Sequence, residues 1–301
     1  MSAKLPLINP YNPISEELVS QLRAALYRFG AFRLAAPEST HRRDAIIENA
    51  GYAHFPTIVL VTDRLLQARE FFRQPVAAKA DIAGYSPFAS ERVRGRTEIP
   101  KESIYFFRNG AELRYPKGPS YNLYRSVKCL HEEWTPIRLH LLKTMSQALD
   151  ANVHLTGNTL LDSVSIGVHY YDSQILPDHS AHFSPPHMDS GTLTVLFRSH
   201  DETDGLEIAD LETTKKQDSE GVGSEASFIP VPTLGDGMPE VVVFAGTRLQ
   251  RLLGRDRVRA CVHRVRGPGP GGHSSSGVRR LSIAMFCAPS VPSIPPLSSS
   301  S

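Results

Sequence analysis

From about Leu160 onward, the apolar residues of this chain recur at every second position rather than every third or fourth. That period belongs to half-buried strands, whose side chains alternate between two faces. The segments LLDSVSIGVHYY (160–171), GTLTVLFR (191–198), EVVVFAG (240–246), VRACVHRV (258–265) and RRLSIAMF (279–286) each carry it, and each is bounded by turn residues. Strands this closely spaced need a second layer to cover their apolar faces, so the sequence predicts a barrel or sandwich.

The first 160 residues read mainly as helices. One helix starts after Ser15, with Glu16 and Glu17 in its first turn, a stripe of Leu18, Leu22, Leu26 and Phe29, and a stop at Gly30. The next residues, AFRLA, read as a short strand. A second helix covers roughly Thr62 to Gln74, with Leu65, Arg69 and Phe72 along one face and Pro75 as its stop. A longer one spans about Ser126 to Asp150, where Trp134, Ile137, Leu141, Met145 and Leu149 form a core-facing stripe. Pro136 either kinks that helix or marks its true start. Residues 84–119 hold Gly, Pro and aromatic residues without a period, as a loop-rich hairpin lining a pocket would. The polar stretch KKQDSEGVGSEAS (215–227) reads as a flexible loop, and PSVPSIPPLSSSS (289–301) as a partly disordered tail. The division is therefore a helical scaffold over 1–159, a β core over 160–289 and a Pro/Ser-rich tail over 290–301, with the first two forming one unit.

Composition narrows the function. Lysine and arginine total 33 against 31 acidic residues. Nucleic-acid or membrane-surface binding would need a concentrated basic face, so no nucleic-acid and no membrane partner is expected. The three cysteines, Cys129, Cys261 and Cys287, have no CxxC spacing, which argues against a thiolate zinc site or a disulfide framework. No run approaches 18 apolar residues and the first fifteen lack an apolar core, so the chain reads as soluble and cytoplasmic. Oligomeric state is left open.

Two histidines and a carboxylate stand out. In SPPHMDSGTLTVLF, His187 and Asp189 are two residues apart, so an extended strand would point both to one ion. His263, centrally placed in VRACVHRV on a face with Arg259 and Cys261, is the candidate third ligand. Two imidazoles and one carboxylate on one octahedral face leave three positions free, the donor set of non-haem iron(II) oxygenases. His-x-Asp by itself also fits a surface turn.

In RRLSIAMF, alternation sets Arg280, Ser282, Ala284 and Phe286 on one face and Leu281, Ile283 and Met285 on the other. Guanidinium plus hydroxyl is a receptor for a carboxylate, although a strand-end arginine in a surface ion pair reads the same way. In VSIGVHYY, Ser165, His169 and Tyr171 share a face, either a pocket wall or the wet side of an edge strand. His179, His182 and His200 lie near the motif in sequence without a second His-x-Asp pair, and His273 sits in the glycine-rich PGPGGHSSSG turn.

In this order the motifs resemble the isopenicillin N synthase-like branch of the iron(II)/2-oxoglutarate-dependent dioxygenase superfamily. The likeness is densest over 164–297. HMDSGTLTVLF resembles the family's H-x-D-x-G-x-L-T-x-L block, VVFAGTRLQRLLGRDRVRACVHRV its segment ending in the distal histidine, RRLSIAMF its R-x-S strand, and PSVPSIPPL its close. RFGAFRLA, AREFFRQP and PKESIYF match the N-terminal half more loosely. The resemblance implies a mainly β fold with α: a double-stranded β-helix (jelly-roll) core packed against N-terminal and central helices. It also implies Fe(II) on His187, Asp189 and His263, with dioxygen and 2-oxoglutarate as co-substrates. Arg280 and Ser282 would hold the distal carboxylate of 2-oxoglutarate, and Tyr171 would help seat it. His169 stands where the family has Asn, so its role is structural or toward the 2-oxoacid. The distance from Asp189 to His263 implies an inserted loop near 210–228.

The implied function is oxygenation of a small molecule by hydroxylation, desaturation or oxidative cyclisation, in a specialised-metabolism setting. Arg94, Tyr105, Phe107, Phe183 and Phe286 are the candidate substrate contacts, each with packing as the alternative. An iron oxidase that uses no 2-oxoglutarate, with Arg280 and Ser282 on the substrate's own carboxylate, is a second reading. A non-catalytic jelly-roll ligand-binding module is a third. A zinc hydrolase would need an H-E-x-x-H helix or a general base, which the sequence does not offer.

Overall fold

In the computed structural model, the structure describes residues 4–9, 14–34, 65, 67–93, 97–107, 121–149, 163–172, 182–198, 205–213, 227–232, 240–267 and 279–288. The strands are β1 (Leu7–Ile8), β2 (Ala31–Leu34), β3 (Tyr85–Ser86), β4 (Arg92–Val93), β5 (Thr97–Glu98), β6 (Lys101–Phe107) and β7 (Ser163–Asp172). They continue with β8 (His182–His187), β9 (Leu193–Arg198), β10 (Leu206–Ala209), β11 (Phe228–Pro230), β12 (Glu240–Ala245), β13 (His263–Arg266) and β14 (Arg279–Ala288). Helices α1 (Glu16–Arg28), α2 (Tyr121–Ala148) and α3 (Thr247–Leu253) accompany them.

Two sheets face each other. The larger runs β1-β2-β12-β9-β14-β7-β6-β3 and the smaller β11-β10-β13-β8. Apart from the parallel β1–β2 pair, neighbours are antiparallel. This is the expected jelly-roll. One face of the larger sheet, with Val164, Ile166, Val168, Leu281, Ile283 and Met285, packs against α1 and α2 in a single apolar cluster. The other face meets the smaller sheet: Leu196, Val242, Phe244 and Ala284 pack with Leu206, Ile208 and Ile229. Alternation along each strand thus sends every second side chain to a helix-packed core and the rest into the space between sheets.

Helix α1 begins as expected. Ser15 caps it by accepting from the Leu18 N–H at 3.2 Å, and Glu16 and Glu17 complement its positive end. Gly30 has φ +65°, and a Cβ there would meet the Arg259 carbonyl at 2.3 Å, so both backbone conformation and space require glycine. Residues 67–72 are helical, in keeping with the second expected helix, and a separate helical turn, Val76–Lys79, follows Pro75.

Helix α2 starts at Tyr121, five residues before the expected Ser126, because Leu123 and Tyr124 are buried on the same core as the predicted stripe. It runs through Pro136, which therefore does not mark its start. The region expected to be loop-rich contains β6, a full strand paired along seven residues with β7. The loop at 215–227, apart from Ser227, and the tail at 290–301 lie outside the described residues. Among the described residues no helix is long and apolar enough to cross a membrane.

Candidate metal centre

Strand β8 ends at His187, so Asp189 lies just beyond it rather than within a strand as the alternation argument assumed. The cause is local. HFSPPH carries Pro185 and Pro186, which a ladder tolerates only at an edge, and β8 is the edge of the smaller sheet. Past His187 the chain turns, and Asp189 is fixed instead by its own contacts: its carbonyl accepts from the Thr247 N–H at 2.8 Å. Its Oδ2 accepts from the Thr194 hydroxyl at 2.6 Å.

His263 likewise opens β13 rather than sitting in mid-strand. The preceding N–H groups are drawn away from the smaller sheet: Arg259 donates to Leu26 O, Ala260 to Gln250 Oε1 and Cys261 to Ala245 O. Pairing resumes where His263 meets His187 and Ile208.

The ligand atoms of His187, Asp189 and His263 lie within 4.8 Å of one another. The two imidazole rings are 4.3 Å apart, and His187 Nε2 stands 4.0 Å from Asp189 Oδ1. Each histidine turns Nδ1 to a main-chain carbonyl: His187 to Pro185 O at 2.8 Å and His263 to Cys261 O at 3.3 Å. Nδ1 therefore carries the proton and Nε2 presents its lone pair. Thr194 occupies one carboxylate oxygen of Asp189 and leaves the other toward His187. His263 also stacks on Phe244 at 4.5 Å, and burial, then His187, pushes its pKa down to about 4, so its imidazole is neutral near pH 7. These donors fit Fe(II): neutral imidazoles, one carboxylate, and a cavity left on the open side.

That cavity, of about 240 Å³, holds the triad together with His169, Tyr171, Arg280 and Ser282. The register explains why they meet. β6, β7 and β14 align Lys101, Tyr171 and Arg280 in one row across the inner face, and Ser103, His169 and Ser282 in the next. The Arg280 guanidinium lies 5.1 Å from the centre of the Tyr171 ring. Tyr105 and Phe286 line the same cavity, as do Leu196, Leu206 and Ala284. Phe183 stands behind the wall rather than on it, in a small cluster with Ile99, Tyr171 and Val265. Phe107 ends β6 opposite Ser165. His182 pairs with Arg266, at the other end of β8 from His187. Arg94, His179, His200 and His273 lie outside the described residues. A larger groove of about 410 Å³ beside α1, lined by Arg23, Tyr27 and Asp256, carries none of the triad.

Sequence reasoning missed Glu91 and Lys101, which also line the cavity. Lys101 Nζ is 2.8 Å from Glu91 Oε2, and the Tyr105 hydroxyl donates to the same oxygen at 3.0 Å. Burial opposes the Lys101 charge, but Tyr171, Tyr105 and Glu91 around it hold its pKa above the ordinary lysine value. The alternation Lys101, Ser103, Tyr105 was the available signal.

Residues 163–289 match the 2OG-Fe(II) oxygenase superfamily, a span that covers every strand from β7 to β14. Over this core the chain is similar to that superfamily. The matched family is one of non-haem iron(II)/2-oxoglutarate oxygenases, with Fe(II) as cofactor and 2-oxoglutarate and O2 as co-substrates. Solved structures share the fold. A full-length Neurospora crassa protein, in complex with alpha-KG, superposes with TM-score 0.67 at 19% identity, over 95% of this chain and 85% of that one. Dioxygenase for auxin oxidation 1 from Arabidopsis thaliana, in its 2-oxoglutarate complex, gives TM-score 0.65 at 16% identity, over 95% and 92%. Dioxygenase for auxin oxidation from rice gives 0.63 at 19%, over 95% and 83%. No curated protein matches the sequence.

Proposed function

We propose that this protein oxidises a small molecule by hydroxylation, desaturation or oxidative cyclisation, in specialised metabolism, with residues 160–289 as the catalytic core. One observation carries the reading: a single cavity holds a His/Asp/His donor set and, on the facing sheet, Arg280 with Tyr171 in one row and Ser282 in the next. His187, Asp189 and His263 would hold iron. When bound, iron with 2-oxoglutarate supplies the oxygen activation that side chains lack.

The chain's own part is orientation and exclusion of water. Arg280 offers paired donors to the far carboxylate of the co-substrate, and Ser282 and Tyr171 add hydroxyls from the adjoining positions. All three are buried, so these hydrogen bonds act in a medium of low polarity where they count for more. Leu196, Leu206, Val265 and Ala284 line the remainder with apolar surface and exclude water from the reacting centre. Tyr105 and Phe286 are the described candidates for contact with the substrate. A small molecule is the reading that fits a cavity of this size.

Replacing Arg280 by Ala tests the assignment. Loss of a paired, charge-assisted contact should weaken 2-oxoglutarate binding by about a hundredfold while iron affinity stays. Unchanged co-substrate affinity would remove Arg280 from the role. Substrate-coupled oxygen consumption that proceeds equally without added 2-oxoglutarate would favour the oxidase reading instead. Screening small molecules for stimulated succinate formation identifies the substrate.

A further inference from the structure

His169 stands at a position where the family pattern has Asn, and its surroundings determine what it can do. It is 5% exposed and lines the cavity. Its Nδ1 lies 3.0 Å from Ser103 Oγ and 3.3 Å from Lys101 Nζ. An ammonium group has donors only, so in that contact Nδ1 must accept, and the ring proton then belongs on Nε2. The opposite tautomer would aim an N–H at a buried cation. Burial, with Lys101, Arg280 and His187 adding to it, holds the His169 pKa well below its ordinary value, so the ring stays neutral and the tautomer question is real.

Nε2 has no hydrogen-bond partner among the described residues. It lies over Gly167, where a Cβ would come within 2.7 Å of it, so the missing side chain at 167 is what lets the ring lie along the inner face. A donor that lines a cavity without a protein partner is available to a ligand that supplies an acceptor. Lys101 cannot serve that ligand itself. Its three N–H directions already meet Glu91 Oε2, the Tyr105 hydroxyl and His169 Nδ1.

We propose that Lys101 is a positioning residue that fixes His169 as its Nε2–H tautomer, and that this N–H donates to an oxygen of bound 2-oxoglutarate. The second half rests on the co-substrate site proposed above; the first half does not.

The full-length, metal-free protein labelled with 15N-histidine provides the first readout, through long-range proton–nitrogen correlations. The expected result is Nε2–H at His169 in the wild type and in Lys101→Arg. In the double variant Lys101→Met/Glu91→Gln, the proton should redistribute toward Nδ1, where Ser103 Oγ can accept it. Pairing the two substitutions avoids leaving the Glu91 carboxylate without its cation. The second readout is anaerobic calorimetric titration of the iron-loaded protein with 2-oxoglutarate. The double variant should bind about tenfold more weakly, the loss of one hydrogen bond to a charged group. His169→Asn carries its own amide donor, so adding the double variant to it should change affinity less than about twofold, as expected for residues that act through one another.

An Nδ1–H ring in the wild type overturns the proposal, and so does an unchanged ring in the double variant. An equal affinity loss with and without His169→Asn would show Lys101 acting on the ligand directly, against the proposal. Failure of the iron-loaded wild type to bind 2-oxoglutarate would sink the co-substrate site, and the donation with it, while the tautomer result would stand on its own.

Discussion

The same three kinds of side chain, a lysine, a glutamate and a tyrosine, meet on each of the two faces of strand β6, and the two sets behave differently. On the helix-packed face, Glu102 meets Lys79 in a buried ion pair and accepts from the Tyr85 hydroxyl. Lys79 also donates to Phe72 O at 2.9 Å and sits 5.5–5.7 Å from the ring centres of Phe71, Phe72 and Tyr85. The Lys79 ammonium and the Tyr85 hydroxyl thus both converge on Glu102 Oε1 within the protein. On the inner face, Lys101, Glu91 and Tyr105 form the matching set, yet Glu91 Oε1 has no partner and His169 Nε2 is open. The first set closes a core; the second is left incomplete beside a cavity. Buried lysine–glutamate pairs are thus no guide to function until their unsatisfied atoms are counted.

The outer set should dominate stability. Lys79→Met leaves Glu102 as a buried carboxylate facing only a phenol, and breaking such a pair costs about 3–5 kcal/mol. Urea unfolding should show that loss with iron affinity retained. Lys79→Met/Glu102→Met should recover a large part of it, because the charge to be desolvated is gone. Lys101→Met should cost less, since the Glu91 side chain remains 21% exposed and can turn to water. Equal losses on the two faces would contradict the distinction.

An inner-face substitution should instead act on the metal. Thr194→Val keeps shape but removes the hydroxyl that occupies Asp189 Oδ2, freeing the carboxylate to rotate. Partners that orient a ligand in this way typically contribute 10–100-fold to metal affinity, so anaerobic Fe(II) titration should show a drop of about that size. Native-like iron affinity in Thr194→Val would mean that the main-chain contact from Thr247 alone fixes Asp189.

Much of the inner face was legible in advance because alternation is a strong local signal. Arg280 and Ser282 were separated from Leu281 and Ile283 on sequence period alone, and β14 obeys that division. β7, β9 and β12 fall where the period changes, within a few residues. The triad could be named because motif order survives even where local geometry does not. Asp189 lies off the strand that was to carry it, and His263 opens its strand, but turns held by Thr247, Gln250 and Ala245 deliver both to the same point. Such contacts span long stretches of chain and leave no mark on local period. The short strands β10 and β11 escaped notice for a related reason, since three or four residues cannot establish a pattern, and β8, with two prolines among its six residues, was read only at its His187 end. Lys101 and Glu91 were missed because a charged pair in a loop-rich segment reads as solvated surface until β6 is known to enter the main sheet.

The smallest effect expected on the inner face is a change in how stability depends on pH. His169 is held neutral, with its folded-state pKa well below the ordinary 6.5. Below that value the unfolded chain takes up a proton that the folded ring refuses, so folding stability falls as pH drops from about 6.5 toward the folded-state pKa. The slope from one such group is at most about 1.4 kcal/mol per pH unit. His263, also depressed, contributes in the same direction. His169→Asn removes one of the two contributions and should flatten, without abolishing, the decline in unfolding free energy between pH 6.5 and pH 5. On the outer face, Lys79→Met lowers stability but removes no such histidine, and its slope over that range should match the wild type. A His169→Asn slope equal to the wild type's would mean that the ring is protonated in the folded protein, and a cation at that point could not be sharing Nδ1 with Lys101.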